Sequence, residues 1–267
     1  MKAIERRQFI LQMLQTHGSV NIAELAERLE VSSMTIRRDL NSFAEEGLIT
    51  MAHGGAILNK GSLFEFNAFY KQSEKTIEKK MMAQEAIGYI NEGDSVFLDS
   101  GTTVKEVADL CVTKKNIVIL THSLLVANAL SESDSVRVVM CPGEFRKISM
   151  AYMGPLTTEF ISKFKIDTLF LGVEGVDLDS GVSVPDILDG ATKISLVEQA
   201  ERIICIADHS KFNKSFLFKI CPLEKLDLII TDANLDRETI ENFKRHDIPL
   251  IVSQDEETFL KKLQNNH

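Results

Sequence analysis

Two adjacent arginines, Arg37 and Arg38, carry the strongest chemical signal in this chain. They lie among helix-capping serines and apolar residues that recur at the four- and seven-residue spacing of a buried helix face. In order, those residues are Ser32, Ser33, Ile36, Leu40 and Phe43. At about 100° per residue, Arg38 points away from the buried face, while Arg37 and Thr35 lie on its flanks. Guanidinium and hydroxyl groups on one exposed helix face are suited to the phosphates and base edges of DNA.

The residues before this helix supply a partner that can hold it against DNA. Apolar residues at positions 22, 25, 26 and 29 predict a second amphipathic helix, joined by a turn so short that the two helices must pack together. Residues 5–15 predict a third, supporting helix. Together they predict a helix-turn-helix, whose second helix enters the major groove. Residues 48–57 alternate loosely around His53, Gly54 and Gly55, which predicts a small hairpin, or wing.

The rest of the chain alternates between apolar, strand-like runs and amphipathic segments. Predicted strands cover residues 96–98, 117–120, 136–140, 168–171, 203–207, 228–230 and 250–252. Predicted helices cover residues 75–90, segments beginning at 104 and 124, and residues 157–163, 191–200 and 236–245. Such apolar strands, interleaved with helices, are typical of a parallel sheet that is covered on both faces. We therefore predict an α/β fold with a doubly wound, mostly parallel sheet.

Hydroxyl-bearing turns follow two of the predicted strands. Ligands of such sheets bind at the carboxyl ends of the strands. Residues 99–103, Asp-Ser-Gly-Thr-Thr, follow one strand and open a helix, so their hydroxyls and backbone amides form an anion cradle. Residues 121–123, Thr-His-Ser, repeat the arrangement one strand later. Asp208 and Lys211 add a carboxylate and a cation after a further strand.

Each of these residues also has a purely structural interpretation. Serine and threonine at a helix start are most often N-caps, and Asp99 could simply brace its turn. Lys211 could be a surface lysine, and Lys193 could simply decorate its helix. The structural interpretation weakens where several strand ends converge on one edge of the sheet.

Several separate motifs together resemble the DeoR-type bacterial transcriptional regulators. In the first part of the chain they are residues 5–7, Glu-Arg-Arg, residues 35–40, Thr-Ile-Arg-Arg-Asp-Leu, and residues 53–56, His-Gly-Gly-Ala. In the second part they are residues 99–103, 172–175 and 207–212, in the order and spacing of that family's effector-sensing domain. The resemblance covers nearly the whole chain.

The chain departs from the family pattern at three places. Similar proteins usually carry an arginine in the wing before His-Gly-Gly, whereas residues 49–52 here are Ile-Thr-Met-Ala. The family usually has Thr-Asn-Ser where this chain has Thr-His-Ser at 121–123, and Gly-Gly where it has Pro142 and Gly143. We therefore expect the wing's phosphate contacts and the nearby effector contacts to differ from those of the family.

The resemblance implies a transcriptional regulator that represses a sugar-catabolic operon and is released or modulated by a phosphorylated sugar. The implied partners are double-stranded operator DNA, the phosphorylated sugar and further copies of this chain, with no cofactor and no membrane. The residues expected to contact DNA are Arg6, Ser33, Thr35, Arg37, Arg38 and His53. The residues expected to contact the effector are Asp99, Ser100, Gly101, Thr102, Thr103, Thr121, Ser123, Asp186, Lys193 and Lys211.

The same resemblance raises a second hypothesis, an enzyme. The family's sensor domain resembles sugar-phosphate isomerases of the ribose-5-phosphate type. Four carboxylates could offer a general base. They are Glu174, Asp177, Asp186 and Asp189. Carboxylates near a sugar equally accept hydrogen bonds from its hydroxyls, and a DNA-reading domain favours reversible binding over turnover, so we expect no catalytic residues.

Charge is the one global property that argues against nucleic-acid binding. The formal net charge is -9, and residues 1–57 hold six lysines and arginines against seven acidic residues. Non-specific DNA binding comes mainly from neutralised phosphates, so we expect it to be weak. Specific sites then require direct contacts from more than one copy. We expect a homo-oligomer, at least a dimer, assembled mainly through residues 75–267.

Length and composition predict a two-domain protein. The 267 residues exceed one typical domain, and 44% hydrophobic residues suffice for a substantial core. We predict a winged helix-turn-helix domain over residues 1–57, a linker over 58–74 and a sensing and oligomerisation domain over 75–267. The charged N-terminus and the lack of an apolar run near the roughly 20 residues of a membrane span predict a cytoplasmic location.

The spacing of cysteines and histidines does not suggest a metal site. The four cysteines are far apart and have no Cys-x-x-Cys spacing: Cys111, Cys141, Cys205 and Cys221. His17 and His209 have no metal-site spacing either. We expect reduced, buried cysteines that pack in the core, and no bound metal ion.

Overall fold

The computed structural model describes residues 3–45, 47–59, 65–255 and 257–258. It contains two compact units, Met1–Phe66 and Asn67–His267. The division between the units falls inside the segment 58–74, which the sequence assigns to a linker. Residues 60–64 of that segment lie outside the described residues.

The described residues of the first unit form three helices and a three-stranded antiparallel sheet. Its elements are α1 (Ala3–His17), β1 (Ser19–Asn21), α2 (Ile22–Arg28), α3 (Ser33–Glu45), β2 (Ile49–Ala52) and β3 (Gly55–Leu58). The strands lie in the order β1-β3-β2. The predicted helix-turn-helix and the following hairpin are confirmed. Strand β1 was not predicted, because three residues are too few to show an alternating pattern.

Local hydrogen bonds define where these helices begin and end. Asn21 caps α2, and its Oδ1 accepts an amide N–H of the first helical turn at 2.8 Å. Ser32 precedes α3 and accepts the amide N–H of Thr35 at 3.2 Å, so Ser32 rather than Ser33 is the N-cap. Gly47 follows α3 with a φ of +74°, a left-handed conformation that ends the helix as predicted.

Apolar side chains from the three helices form the core of the first unit. The buried ones include Ile10, Leu14, Leu25, Ile36, Leu40 and Phe43. Each such side chain contributes roughly 1.5–3 kcal/mol to folding when it is fully buried. The predicted buried face of α3 is therefore confirmed, and the opposite face of that helix is left to solvent.

The described residues of the second unit form seven α-helices, three short 3-10 helices (Ile87–Tyr89, His209–Lys211 and Leu223–Lys225) and twelve strands. The helices are α4 (Ala68–Ser73), α5 (Thr76–Ala86), α6 (Thr102–Cys111), α7 (Leu124–Ala129), α8 (Pro155–Ile161), α9 (Ile187–Gln199) and α10 (Arg237–Arg245). The strands are β4 (Ser95–Leu98), β5 (Ile117–Thr121), β6 (Val136–Met140), β7 (Glu144–Arg146), β8 (Ala151–Met153), β9 (Ile166–Gly172), β10 (Gly175–Asp177), β11 (Gly181–Val184), β12 (Ala200–Ile206), β13 (Phe218–Cys221), β14 (Leu228–Thr231) and β15 (Leu250–Val252).

Seven of these strands form one parallel sheet in the order β15-β14-β12-β9-β4-β5-β6. Successive residues of a strand point to opposite faces. Phe97 packs in an apolar cluster with residues of α8, α9 and α10, whereas Val96 and Leu98 pack in a second cluster with residues of α5, α6 and α7. Helices therefore cover both faces of the sheet, and the predicted doubly wound α/β fold is confirmed.

Two small antiparallel sheets were not predicted. Strands β7 and β8 form a hairpin, and β10, β11 and β13 form a separate sheet. Their strands have only three or four residues, too few for a clear sequence pattern. The β7–β8 hairpin follows β6 and leads into α8, so it lies at the carboxyl end of the main sheet.

Helix α4 lies inside the segment 58–74, where the sequence predicted a linker. Asn67 caps this helix, and its Oδ1 accepts an amide N–H of the first turn at 2.9 Å. The amide N–H of Ala68 donates to the carbonyl oxygen of Ile148, between β7 and β8, at 2.7 Å. Residues 67–74 therefore belong to the second unit, and the linker prediction is corrected there. A six-residue helix is too short to show helical periodicity.

All four cysteines are buried in the second unit, as predicted. Burial raises the pKa of the Cys111 and Cys141 thiols to about 12, so both stay protonated at neutral pH. Within the part of the chain that the structure describes, no helix combines the length and the apolar character needed to cross a bilayer.

Candidate functional site

The outer face of α3 is the exposed surface of the helix-turn-helix. Arg37 and Arg38 are both exposed, Thr35 is half-buried, and the neighbouring Ile36 is fully buried. Ser33 begins the helix and is exposed. Both guanidinium groups therefore face away from the core, as the helical spacing predicts. Their assignment to bases or phosphates stays a prediction.

Arg6 does not lie on that outer face. Its Nε donates to Oδ2 of Asp39 at 2.6 Å, and the two side chains are only 12% and 10% exposed. The hydrogen bond with Asp39 raises the pKa of Arg6. Its neighbour Arg7 donates to the Ser42 hydroxyl at 3.0 Å and stacks on Phe43. The guanidinium group of Arg6 therefore braces α1 against α3, and the expectation that Arg6 contacts DNA stays a prediction.

The wing is the β2–β3 hairpin, and its turn carries the exposed His53. The Thr50 hydroxyl donates to Oδ1 of Asn59 at 2.7 Å, and Nδ2 of Asn59 donates to the carbonyl oxygen of Gly47 at 2.8 Å. These bonds tie the end of α3 to the wing. Residues 49–58 contain no lysine or arginine, so His53 and backbone amides are the groups that the wing can offer to a phosphate.

The loops that follow β4, β9 and β12 meet at one edge, because these three strands are neighbours in the parallel sheet. The loops carry residues 99–103, Glu174 and residues 208–211. Gly172 allows the first two loops to approach closely, since a Cβ at that position would lie 2.8 Å from the carbonyl oxygen of Ser100. The parallel topology therefore gathers most of the polar motifs that the sequence singled out.

Asp99 is the centre of a buried polar cluster beneath the first loop. Its Oδ1 accepts the amide N–H of Ser100 at 2.7 Å and lies 2.9 Å from Nε2 of His122. Its Oδ2 accepts one hydrogen bond from the amide N–H of Gly172 at 2.9 Å and another from Nζ of Lys193 at 2.5 Å. Burial alone would raise the pKa of Asp99, but Lys193 and His122 outweigh burial and hold this pKa at about 2.

Lys193 belongs to the same buried cluster. Its Nζ also lies 3.4 Å from Oδ1 of Asp189. Burial alone would lower the pKa of Lys193, but Asp189 and Asp99 outweigh burial and raise it, so the lysine stays charged. The expectation that Asp99 and Lys193 contact the effector stays a prediction. Both support the loop from below.

The side chains of three more predicted effector residues form hydrogen bonds with backbone groups. The Thr121 hydroxyl donates to the carbonyl oxygen of Leu98 at 2.7 Å and accepts the Ser123 amide N–H at 3.0 Å. Ser123 is fully buried and caps α7. Asp186 caps α9, and its Oδ2 lies 3.3 Å from Nε of Arg146. These contacts fit the structural interpretation of the three side chains, and their effector assignments stay predictions.

The first loop keeps groups that suit an anion. Gly101 is the N-cap residue of α6, with a φ of +133°, and no side chain caps this helix end. Thr102 is buried, whereas Gly101 and Thr103 are half-buried. The first amide N–H groups of a helix have no partner within the helix, and the helix dipole there favours negative charge. Residues 100–103 therefore fit the predicted anion cradle.

Five lysines gather on the neighbouring loops and on the elements that cover them. Glu174 accepts hydrogen bonds from Nζ of Lys71 and, at 2.6 Å, from Nζ of Lys211. Asp208 accepts a hydrogen bond from Nζ of Lys75 at 2.5 Å. We call Lys71, Lys75, Lys79, Lys211 and Lys214 the lysine cluster.

The lysine cluster holds more positive charge than its carboxylates neutralise. Burial lowers the pKa of Lys79 to about 8; Asp208 opposes this shift and Lys211 adds to it. Burial, with Lys211 and Lys75, also lowers the pKa of Lys214. Lys71 and Lys211 contact Glu174, Lys75 contacts Asp208, and Lys79 donates to the carbonyl oxygens of Lys71 and Glu74. The positive charge that these two carboxylates leave over favours the arrival of a further anion.

Sequence reasoning found one member of this cluster, Lys211, and missed the others. Lys71, Lys75 and Lys79 are spaced four residues apart, which is the spacing of one helix face and a usable signal. The signal was lost because residues 58–74 were assigned to a linker. In the structure the three lysines span the end of α4 and the start of α5, and Lys75 joins these helices with a φ of +50°.

One group of side chains has the composition of a metal site. Candidate ligand atoms of Asp208, His209 and Asp232 all lie within 4.8 Å of one another. In the structure, Nδ1 of His209 lies 2.8 Å from Oδ1 of Asp232, and Asp208 pairs with the ammonium group of Lys75. These contacts use the atoms that would bind a cation, and the predicted lack of a metal ion stays a prediction.

The carboxylates considered as general bases are all engaged. Burial alone would raise the pKa of Glu174, but Lys211 and Lys71 outweigh burial and hold it at about 2. Asp177 accepts hydrogen bonds from the amide N–H and the hydroxyl group of Ser180. Asp186 caps α9, and Oδ1 of Asp189 lies 3.4 Å from Nζ of Lys193. A carboxylate with so low a pKa is a weak base at neutral pH.

Comparison with known proteins covers both units. A family model for the DeoR-like helix-turn-helix domain matches residues 6–62, and one for the DeoR C terminal sensor domain matches residues 74–233. A putative aga operon transcriptional repressor of Escherichia coli O157:H7 is 34% identical over 93% of this chain and 93% of its own length. The glycerol-3-phosphate regulon repressor of Escherichia coli K12 is 32% identical over 94% of this chain and 99% of its own length.

Among solved structures, ribose 5-phosphate isomerase A from Methanocaldococcus jannaschii aligns with 52% of this chain and 55% of its own. The two are 13% identical, and the TM-score is 0.39. So low a score adds nothing to the enzyme hypothesis.

Proposed function

Because this chain belongs to the DeoR family of DNA-binding transcriptional regulators, we propose that it represses a sugar-catabolic operon until a phosphorylated sugar binds it. The proposal places the protein in the cytoplasm, with DNA and the metabolite. It assigns operator contact to the first unit and effector binding to the second.

The observation that carries the effector proposal is the lysine cluster beside the uncapped start of α6. A phosphate dianion offsets most of the positive charge that remains in the lysine cluster after Glu174 and Asp208 have paired with Lys71, Lys75 and Lys211. The amides of residues 101–103 supply hydrogen bonds that a phosphate oxygen accepts. Lys211 was predicted to contact the effector from the sequence. It lies in the loop after β12 and also belongs to the lysine cluster.

Glu174 and Asp208 give the same site a way to recognise the sugar. Both carboxylates accept hydrogen bonds from ammonium groups in the structure. When a phosphate takes over part of that lysine contact, the carboxylate oxygens can accept hydrogen bonds from sugar hydroxyls instead. We therefore assign the effector contacts to residues 100–103, the lysine cluster, Glu174 and Asp208.

We assign operator contacts to the outer face of α3 and to the wing. The residues are Ser33, Thr35, Arg37, Arg38 and His53. One such unit makes few phosphate contacts, because its net charge is close to zero. Tight binding at physiological salt then requires at least two copies on repeated half-sites, roughly 34 Å or a multiple apart if the repeats are inverted.

We assign self-association to the second unit. Apolar side chains are exposed in the β7–β8 hairpin and at the starts of α8 and α9. They are Phe145, Ile148, Leu156, Ile187 and Leu188, and we call them the apolar patch. The Arg146–Asp186 ion pair joins the hairpin to the start of α9. Large apolar side chains that are exposed close together are typical of a protein interface.

Effector binding then changes DNA affinity by favouring one subunit arrangement over another. The ligand shifts this equilibrium only by its differential affinity for the two arrangements. The proposed action is reversible binding without turnover, since Glu174 is held ionised between two lysines. Measurable conversion of ribose 5-phosphate to its ketose isomer by the purified protein would contradict this part of the proposal.

A thermal-shift screen against phosphorylated sugars and glycerol 3-phosphate, each paired with its unphosphorylated form, tests the proposal. A ligand present at about 100 times its dissociation constant adds roughly 2.7 kcal/mol of stability. We expect a shift for a phosphorylated compound and none for its partner. Lys211→Ala should abolish the shift, whereas Lys163→Ala, an exposed surface lysine, should retain it. The ligand found should also release the protein from operator DNA in a gel-shift assay.

A further inference from the structure

Met34 is an exposed apolar side chain on α3 that the proposed operator contacts do not include. It is the second residue of this helix and is 73% exposed, more than any other large apolar side chain in the part of the chain that the structure describes. Single exposed apolar side chains are common on protein surfaces. The position of Met34 on the helix therefore decides what it can contact.

Helical spacing places Met34 on the same outer stripe of α3 as Arg38. The two residues are four positions apart, and at about 100° per residue both lie nearly opposite the fully buried Ile36. Arg37, by the same spacing, lies on the flank. Met34 therefore shares the surface of the arginine that we expect to reach base edges.

The hydroxyl groups at the start of α3 contact each other. Oγ of Ser32 lies 2.9 Å from Oγ1 of Thr35 and also accepts the amide N–H of Thr35 at 3.2 Å. Thr35 is half-buried, and Ile36 is fully buried. Met34 is therefore the long side chain that stays exposed in the first turn of α3. In a helix-turn-helix, the N-terminal residues of the second helix are the ones that contact base edges.

We propose that Met34 is a specificity-determining residue that contacts the C5-methyl group of a thymine in the major groove. The proposal rests on the proposed function, because it requires α3 to lie in the groove of operator DNA. Base pairs present mostly polar atoms there, and the thymine methyl group is the apolar exception. Methionine suits this contact, because its unbranched chain and polarisable sulfur adapt to a small apolar group.

The spacing on the helix also locates this thymine relative to the base that Arg38 contacts. Four residues of an α-helix rise about 6 Å, and successive base pairs are about 3.4 Å apart. The thymine should therefore lie about two base pairs from the position that depends on Arg38.

Selection of bound sequences from a randomised pool of duplex DNA tests the proposal with the full-length protein. We expect wild type and Met34→Leu to enrich a thymine at one position of each half-site. Met34→Ala should lose that preference and keep the others. Because Met34 is exposed, neither substitution removes a core contact. The matched control is Val112→Ala, which shortens an exposed apolar side chain of the second unit and should enrich the wild-type sequence.

Removal of the methyl group from the DNA tests the contact from the other side. Deoxyuridine in place of the enriched thymine lacks the methyl group and keeps every hydrogen-bonding group. We expect the affinity of wild type to fall about fourfold, the effect of one buried group of this size, and Met34→Ala to bind both duplexes equally. Deoxyuridine outside the half-sites is the control and should change neither affinity.

Two results would overturn the proposal, and they differ in what they say about the proposed function. If wild type and Met34→Ala enrich the same sites and lose the same affinity on deoxyuridine, Met34 does not contact the thymine, while operator contact through α3 is retained. If wild type enriches no sequence, the operator contacts themselves are wrong, and the role of Met34 is wrong with them.

Discussion

The ammonium nitrogen of Lys193 lies 2.5 Å from Oδ2 of Asp99, and both side chains are almost completely buried. The same carboxylate also accepts the amide N–H groups of Ser100 and Gly172. One buried ion pair therefore holds the ends of β4 and β9 and the middle of α9 together. This is the internal support on which the anion cradle rests.

Removing one partner of this pair should destabilise the second unit strongly. Asp99→Asn leaves the Lys193 charge buried without its nearest counter-charge, and such changes cost about 3–5 kcal/mol. Asp109→Asn breaks a pair of equal length, 2.5 Å, that lies at the surface of α6. That control should cost less than about 1 kcal/mol. Urea unfolding of both variants provides the measurement, and similar losses would show that the buried pair is not the support proposed here.

The location of this support shows what the sequence can and cannot predict. The apolar strands and their interleaved helices predict the parallel sheet, because an alternation of buried strands and amphipathic helices has few other solutions. They also predict that residues 99–103 lie at its carboxyl edge. They do not predict which polar atoms at that edge face each other, because Asp99 and Lys193 are 94 residues apart. Their role depends on packing that one local pattern cannot show.

Other predicted ligand contacts also bond within the protein, for the same physical reason. Thr121, Ser123 and Asp186 have the types and positions of ligand contacts, but the same features make them good caps. Arg6 is basic and lies close to α3, but its guanidinium group forms an ion pair with Asp39 on that helix. In each case a backbone group or a counter-charge of the protein itself contacts the side chain.

Arg37 and Arg38 should have separable roles in operator binding. Their side chains differ in direction by about 100°, and Arg38 lies further from the buried face, so we expect Arg38 to reach base edges and Arg37 mainly phosphates. Arg38→Ala should cost about 1–3 kcal/mol and relax sequence preference. Arg37→Ala should weaken binding to all sequences and reduce the salt dependence.

Fluorescence-anisotropy titrations on operator and random DNA at several salt concentrations measure both effects. The control is Arg245→Ala, because Arg245 lies on the surface of α10 in the other unit. It should change neither the sequence preference nor the salt dependence. Arg6→Ala should lower the free energy of unfolding without changing sequence preference. Equal losses on both DNAs for the two recognition-helix variants would contradict the division of roles.

Glu174→Gln should strengthen the binding of inorganic phosphate. The carboxylate of Glu174 neutralises Lys71 and Lys211, and its removal leaves both ammonium groups to the incoming anion. We expect an increase in phosphate affinity of about tenfold, equivalent to about 1.4 kcal/mol. Binding of the sugar phosphate should gain less, because the same carboxylate accepts hydrogen bonds from the sugar. Calorimetry measures both affinities, and Glu198→Gln, at an exposed position, is the control. A phosphate affinity that does not rise in Glu174→Gln would contradict this assignment.

Sulfate affinity should fall as the pH rises through about 8, the pKa to which burial lowers Lys79. Above that pH the folded protein has lost a proton that the unfolded chain keeps until about 10.4, so the unliganded protein gains stability while the anion site loses a charge. The affinity should fall by up to about tenfold per pH unit. Lys79→Met should bind more weakly at neutral pH and show a flatter profile. A wild-type affinity that stays constant from pH 7 to 9.5 would contradict the placement of Lys79 in the site.

Disruption of the apolar patch should separate subunits and weaken operator binding together. Leu156 and Ile187 are 57% and 59% exposed, and a glutamate at either position would place a charge in the proposed contact. Both positions lie in the first turn of a helix, where a carboxylate is compatible with folding of the single chain. We expect L156E and I187E to sediment as smaller species than wild type at micromolar concentration. Both should lose cooperative binding to two half-sites.

The control for this prediction is V112E, which alters an exposed apolar residue at the end of α6, away from the patch. It should sediment like wild type and footprint the same operator. Circular dichroism and thermal melts establish that all three variants are folded before their sizes are compared. A wild-type protein that is already a monomer, or patch variants that keep its size, would show that the copies needed for tight DNA binding meet through another surface.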